Sequence, residues 1–386
     1  MPCVVPSLRR TRIMLHMGMV SSLPMNAEVQ NCSRHRRLSA TNTFRLACLA
    51  ALCCLFGTAK ASVAKESQDG TSQVADKPYS TLTDARALLA DGHMQKAEEA
   101  VRDYLAQNQS SGDAHFLLGL ILFREIQAEA LDQLTSSNTS RFRISPADAK
   151  LREVNARASL AEYTEGAKYE KPSATDLKIV ALDYVLLGSY ADASKWLTVS
   201  VQADPRDAEA WYYLGRARYN ENRFEEAIQA FLRCLELKPR YVKAQSNLGL
   251  SYAGLNRIPE AQASFLKAIE WQSDSPGKDA EPYIDLGDLL IQINRAEEAV
   301  SYLTQAVTIA PRESRAREKL GSAYLNLNDL HAAQTQLEAG VALDPQNASL
   351  HYLLGSVYRK QGNQEKARSE LERFQLLKEA SGSELP

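Results

Sequence analysis

The chain reads as an all-α solenoid, a stack of helix–turn–helix units, on three observations. Five Leu-Gly dipeptides begin at Leu214, Leu248, Leu286, Leu320 and Leu354, spaced 34, 38, 34 and 34 residues apart. An alanine stands twelve residues after each glycine (Ala227, Ala261, Ala299, Ala333, Ala367), repeating the same four-residue slip. A Gly or Asn recurs five residues ahead of the alanine, at Gly188, Asn222, Asn256, Asn294, Asn328 and Gly362. A fixed period of this size signifies a repeat array. The Gly/Asn register is independent of the other two, because apolar periodicity does not demand it.

Each unit is numbered so that Leu-Gly falls at positions 7 and 8. The segment from Ala208 then resolves into two amphipathic helices, A and B. Trp211, Leu214, Gly215 and Arg218 share one helical stripe, and Ala227, Phe231 and Cys234 share another. Small residues at positions 8 and 20 let the two axes approach, while large ones at 4 and 24 fill the space beside them. Position 15 needs a residue that tolerates positive φ, hence Gly or Asn. Pro239 closes the unit at position 32, with Pro205, Pro311 and Pro345 as counterparts, since proline's locked φ and missing N–H stop helix B.

These residues resemble the tetratricopeptide repeat, whose pattern is W-x2-L-G-x2-Y followed by A, F, A and P. Extending the register upstream adds a unit with Gly188, Ala193 and Pro205, and a first unit with Gly92 and Ala97. An interrupted unit surrounds Leu118-Gly119. Eight units start near Pro78, Gly112, Ala174, Ala208, Val242, Ala280, Ser314 and Ala348. The resemblance implies a right-handed superhelical solenoid, with helix A lining a concave face that receives protein partners.

The second unit carries a helical insertion at about 127–155. Between Gly119 and Ser159 lie 40 residues in place of 12, and position 15 is Ile126. Helix A is expected to run on through Ala128, Leu131 and Leu134 to a polar break at 135–140. Ser145-Pro146-Ala147-Asp148 has the form of a new helix start. Two readings stand. One is an excursion that merely tolerates length. The other is a protruding hairpin, with Arg141, Arg143 and Arg152 near its tip, that contacts a partner or membrane headgroups.

The front end differs in kind. Arg34, Arg36, Arg37 and Arg45 precede an apolar run from Leu46 to Gly57, followed by Thr58-Ala59-Lys60-Ala61. Basic flank, short apolar segment and A-x-A are the parts of a secretory signal peptide. The run falls short of the roughly 20 residues that a membrane-spanning helix needs. Residues 1–61 are therefore assigned to an N-terminal extension plus signal peptide, 62–77 to a polar linker, 78–381 to the solenoid and 382–386 to a tail. The expected location is periplasmic or secreted in a bacterium; the alternative is an uncleaved leader anchored in the inner membrane.

Loss of the leader leaves Cys234 as the sole cysteine, with no intramolecular disulfide, and 37 Lys/Arg against 46 Asp/Glu. That balance disfavours nucleic acid, whose binding needs a positive footprint. No metal-ligand spacing or phosphate-cradling loop is present, so no metal, no cofactor and no catalytic residues are assigned. His115 and His351 occupy position 4 and are read as packing residues. Acid pairs such as Glu225-Glu226 open helix B, where they suit the positive dipole end.

Positions 2, 5, 9 and 12 of helix A form the expected inner stripe. They hold Phe116, Leu120 and Phe123; Lys178, Leu182 and Val185; Glu209, Tyr212, Arg216 and Tyr219. Lys243, Leu250 and Ala253 follow, then Ile284, Asp288 and Ile291, then Tyr352 and Arg359. Aromatic and Arg anchors beside apolar floor suit a peptide-binding interface. The competing reading is burial of the same residues between adjacent A helices. The family's carboxylate clamp is absent, since Leu182, Tyr213 and Asn247 stand where it needs other residues, and so is its asparagine ladder. The expected function is a noncatalytic interaction scaffold that holds a partner peptide or helix in the groove. The alternative is a structural subunit of a cell-envelope assembly, working through its ends and the hairpin.

Overall fold

The computed structural model describes residues 81–136 and 146–382, which form sixteen α-helices and no strand among the described residues. The chain divides into two units, 1–75 and 76–386, and every described residue lies in the second. The leader, the linker, Arg141, Arg143 and residues 383–386 fall outside the described residues.

The helices pair in chain order. The first unit is α1 (Leu82–Ala90) with α2 (Met94–Gln107), and the second α3 (Gly112–Ser136) with α4 (Pro146–Gly166). Next come α5 (Ala174–Leu186) with α6 (Tyr190–Ala203), and α7 (Ala208–Asn220) with α8 (Phe224–Leu237). Then α9 (Val242–Gly254) pairs with α10 (Ile258–Trp271), and α11 (Glu281–Gln292) with α12 (Ala296–Ile309). The last pairs are α13 (Ser314–Asn326) with α14 (Leu330–Leu343), and α15 (Ala348–Lys360) with α16 (Gln364–Gly382).

One backbone device reverses the chain within a unit. Position 15 has positive φ at Asn222 (59°), Asn256 (57°), Asn294 (60°) and Asn328 (60°), and at Gly92, Gly188 and Gly362. The next amide then folds back onto the carbonyl at position 11, as from Arg223 to Arg218 and from Asp329 to Tyr324, each 2.9 Å. This satisfies a carbonyl that the helix end would otherwise orphan. At Ile126 the turn does not form. A β-branched side chain opposes positive φ, and α3 continues for another ten residues to Ser136.

Helix A meets helix B through a small-against-large contact. A Cβ added at Gly215 would stand 2.6 Å from the Phe231 ring, and one at Gly249 would stand 2.6 Å from the Phe265 ring. Ala227, Ala261, Ala299 and Ala333 at position 20 are fully buried. Cys234 is buried in the same core, where burial pushes its thiol up to about 11, so it behaves as a small apolar filler. The four-residue slip is taken up between α10 and α11. There Gln272 closes the longer loop by donating to the Asp279 carbonyl (2.9 Å) and accepting from its amide (2.7 Å).

Position 4 does more than pack. Trp211 Nε1 donates to the Pro205 carbonyl (3.1 Å), Arg317 Nη2 donates to that of Pro311 (2.9 Å), and His351 Nε2 lies 3.0 Å from that of Pro345. The residue thus fastens the end of the preceding helix B. His115 and His351 each also place Nδ1 against a carboxylate of their own helix B, Glu162 at 2.7 Å and Glu370 at 2.6 Å.

The junction between the second and third units holds a buried polar group. Ser159 takes the place of the position-20 alanine and lies within hydrogen-bond distance of both the Gly119 carbonyl (3.0 Å) and Asp183 Oδ2 (2.6 Å). One hydroxyl hydrogen cannot serve two acceptors. Burial lifts the Asp183 carboxyl to about 8, opposed by the Ser159 hydroxyl when it donates to the ionised acid; the protonated acid instead donates to Ser159 and frees that hydroxyl for the Gly119 carbonyl.

Two outcomes follow. Gly215→Ala should destabilise the protein by about 1–3 kcal/mol in urea unfolding, through overpacking against Phe231. Combining it with Phe231→Ala should cost less than the sum of the two single changes. Asp183 holds its proton in the folded state at pH values where the unfolded chain has released it. Stability therefore falls as pH rises from about 4 towards 8 and does not recover above that. Asp183→Asn should flatten this slope and raise stability at pH 8 by on the order of 2 kcal/mol; a slope unchanged in urea titrations across that window would refute the assignment.

Candidate functional site

A helices of successive units touch one another along the whole series, from α1 with α3 to α13 with α15. No B helix touches the next B helix among the described residues. The A helices therefore lie on the inner side of the curve, and their stripe is the candidate site.

Curvature divides that stripe into two classes. Position 5 is largely covered, by the neighbouring unit or by helix B of its own unit. Tyr212 is buried, with its ring 5.2 Å from Tyr241 and 6.1 Å from Phe231. Phe116 is buried and stacks on Tyr163 at 5.8 Å. These two candidates belong to the core and not to an open groove. Tyr352 holds the same position in α15, where no further A helix covers it among the described residues, and it is 48% exposed. Positions 9 and 12 face outward to a greater degree. Arg216 and Arg359 are exposed, while Leu182, Leu250, Asp288 and Tyr219 are half-buried; Lys243 at position 2 is exposed.

Many charges of the stripe are spent on holding neighbouring A helices together. Lys178 bonds Asp207 (2.8 Å) and Glu209 (3.0 Å) of the next unit. Arg315 bridges Glu281 (2.6 Å) and Asp285 (2.7 Å), and Lys319 meets Asp288 at 2.7 Å. Asp285 is nearly buried. Burial pushes its carboxyl up to about 6 against the opposing pull of Arg315, and Ser246 donates to its other oxygen at 3.1 Å. Asp285, Arg315 and Lys319 were absent from the sequence-predicted set. Their signal was an opposite charge at neighbouring stripe positions in consecutive units.

A recess of about 620 Å³ opens where the A–B turns of the last three units converge. Leu325, Leu327, Tyr352 and Leu353 are its apolar lining, and Arg359, Lys360 and Glu297 line it with charge. It joins two predicted site residues, Tyr352 and Arg359. Among the described residues there is no group of three His, Cys, Asp or Glu that could hold a metal ion, and no helix long and apolar enough to cross a membrane.

Comparison with known proteins agrees with this architecture. Tetratricopeptide repeat models match residues 82–143, 208–241, 241–312 and 318–383. A peroxisomal targeting signal receptor of Candida glabrata is 47% identical over 49 residues, which is 13% of this chain and 8% of the receptor. A DnaJ homolog subfamily C member 7 homolog of Dictyostelium discoideum is 24% identical over 209 residues, 51% of this chain and 37% of that protein. The chain thus spans well under half the length of these relatives. Among solved structures, yeast Tom70 is similar in fold over 75% of this chain and 56% of its own, with a TM-score of 0.51 and 13% identity. On the matched repeats and the paired helices, the chain belongs to the tetratricopeptide repeat family, whose members generally mediate protein–protein interaction.

Proposed function

We propose that this protein is a noncatalytic scaffold that holds an extended or helical segment of a partner protein on the inner stripe of its A helices. The observation that supports this reading is the exposed set left over after the stripe's packing and ion pairing are accounted for. Arg216, Lys243, Tyr352 and Arg359 are exposed beside half-buried Leu250, Leu325 and Leu353. Anchors of this kind, an aromatic or Arg flanked by apolar surface, account for a large share of binding energy at protein interfaces. The likeness to a targeting signal receptor supports partner binding, although it covers a single stretch of 49 residues. The basic and apolar leader that ends at Ala61 supports an exported location.

A second reading, action through the ends of the array, has one observation in its favour. The last helix, α16, exposes Leu376 (58%) and leaves Phe374 half-buried against Tyr352, at 5.4 Å between rings.

Capture of partner proteins by the full chain separates the two. Arg216→Ala with Tyr352→Ala should reduce capture tenfold or more, since two anchors are worth at least about 1.4 kcal/mol together. The helical circular-dichroism signal should not change. Capture that survives this double change but is lost with Leu376→Asp would move the site to the end of the array.

A further inference from the structure

The stripe's charges do not balance, and the imbalance has one sign. Each carboxylate at positions 2, 5, 6, 9 and 12 is engaged. Asp113 pairs with Arg86, Glu209 with Lys178, Glu281 and Asp285 with Arg315, and Asp288 with Lys319. Glu318 accepts from Asn347 (3.0 Å) and Ser349 (2.9 Å) of the next unit. Three cations of the stripe, Arg216, Lys243 and Arg359, have no carboxylate partner among the described residues, and neither has Lys360 beside the recess.

The register sharpens this. The Arg86–Asp113 pair shows that position 9 of one unit reaches position 2 of the next. By register, Arg216 and Lys243 hold these two positions in the fourth and fifth units, and both are exposed. Arg216 lies over the Tyr212 ring, 6.0 Å from its centroid, which keeps the guanidinium on the stripe. Tyr219 is half-buried one helical turn further along α7. Exposed cations without a carboxylate partner attract an anionic group.

We propose that the partner segment is an acidic peptide, whose carboxylates lie on Arg216 and Lys243 while an apolar residue enters the recess of Tyr352, Leu325 and Leu353 and a further carboxylate meets Arg359 and Lys360. This rests on the groove reading above and names the chemistry of its occupant. A peptide fits better than a nucleic acid. The positive sites are isolated and spaced along the stripe, too few and too far apart for the run of phosphate contacts that dominates nucleic-acid binding. Glu297, which also lines the recess, disfavours an acid beside it and favours an apolar or basic group there.

Selection of a random twelve-residue display library on the immobilised full chain tests this directly. The bound pool should be enriched in Asp and Glu interspersed with Leu or aromatic residues. A fluorescein-labelled peptide from that pool should lose about tenfold in affinity with Arg216→Gln and Lys243→Gln together, and more with both changed to Glu. Its binding should also weaken as salt rises, because these sites are exposed. Enrichment of neutral or basic sequences would overturn the proposal. Acidic sequences bound equally by the charge-reversed protein would overturn it too, since they would then lie elsewhere, and so would displacement of the peptide by lower concentrations of single-stranded DNA. Neutral sequences that bind and are lost with Tyr352→Ala would leave the groove reading standing. No enrichment of any kind would remove both.

Discussion

A single backbone site in each unit, the residue at position 15, decides whether the chain reverses. With Gly or Asn there, positive φ is tolerated, and the following amide can reach back to the position-11 carbonyl, as from Arg257 to Tyr252 at 2.9 Å. That bond ends helix A at a fixed height. The glycine at position 8 then faces the large residue at position 24, and the alanine at position 20 meets the same gap. Ile126 shows the converse: with a β-branched residue at that site the helix continues, and its partner B helix must return from further out. The interrupted unit thus combines extra chain with a residue at position 15 that does not support the turn, so helix A stays helical.

Local rules made the units legible, and distance from those rules marks where legibility ended. The Leu-Gly, Ala and Gly/Asn registers each report contacts inside one hairpin, so every helix pair from α5 onward was readable from sequence. Curvature is set between units, by how far each A helix rolls onto the next, and no residue encodes it alone. Tyr212 therefore had the right composition for a groove but is covered by the next unit, while Phe116 is buried against Tyr163 of its own helix B. Ser159 and Asp183 meet across 24 residues and two units, with no local pattern to announce them. Arg240 holds φ at 61° without being Gly or Asn, and its guanidinium donates to the Trp271 carbonyl of the next unit at 3.2 Å. A long-range contact there holds a conformation that local preference opposes.

The inner stripe has two duties that compete for the same side chains. Ion pairs such as Lys319–Asp288 join consecutive A helices, and a half-exposed pair of this kind contributes only about 0–1 kcal/mol. Their value lies more in register, since a slipped joint would set like charges together. A residue committed to such a joint is not available to a ligand. Asp288 and Lys178, both expected in the groove, are committed in this way, whereas Arg216, Lys243 and Arg359 are not. Sequence places all five on one stripe; only the pairing separates them.

The most perturbed acids, Asp183 and Asp285, both lie on A helices at joints between units. A carboxyl displaced towards neutrality often marks an active site, but the displacement has to be read with the surroundings. Asp285 is held by Arg315 and Ser246 and is almost closed to solvent, so no reacting group could reach it without parting two helices. Asp183 is enclosed with Ser159 and the Tyr163 phenol, which burial also pushes up. Both shifts are caused by packing between repeats. In an array whose stability is a sum of nearest-neighbour interfaces, each such acid makes one joint, and not the whole chain, sensitive to proton concentration.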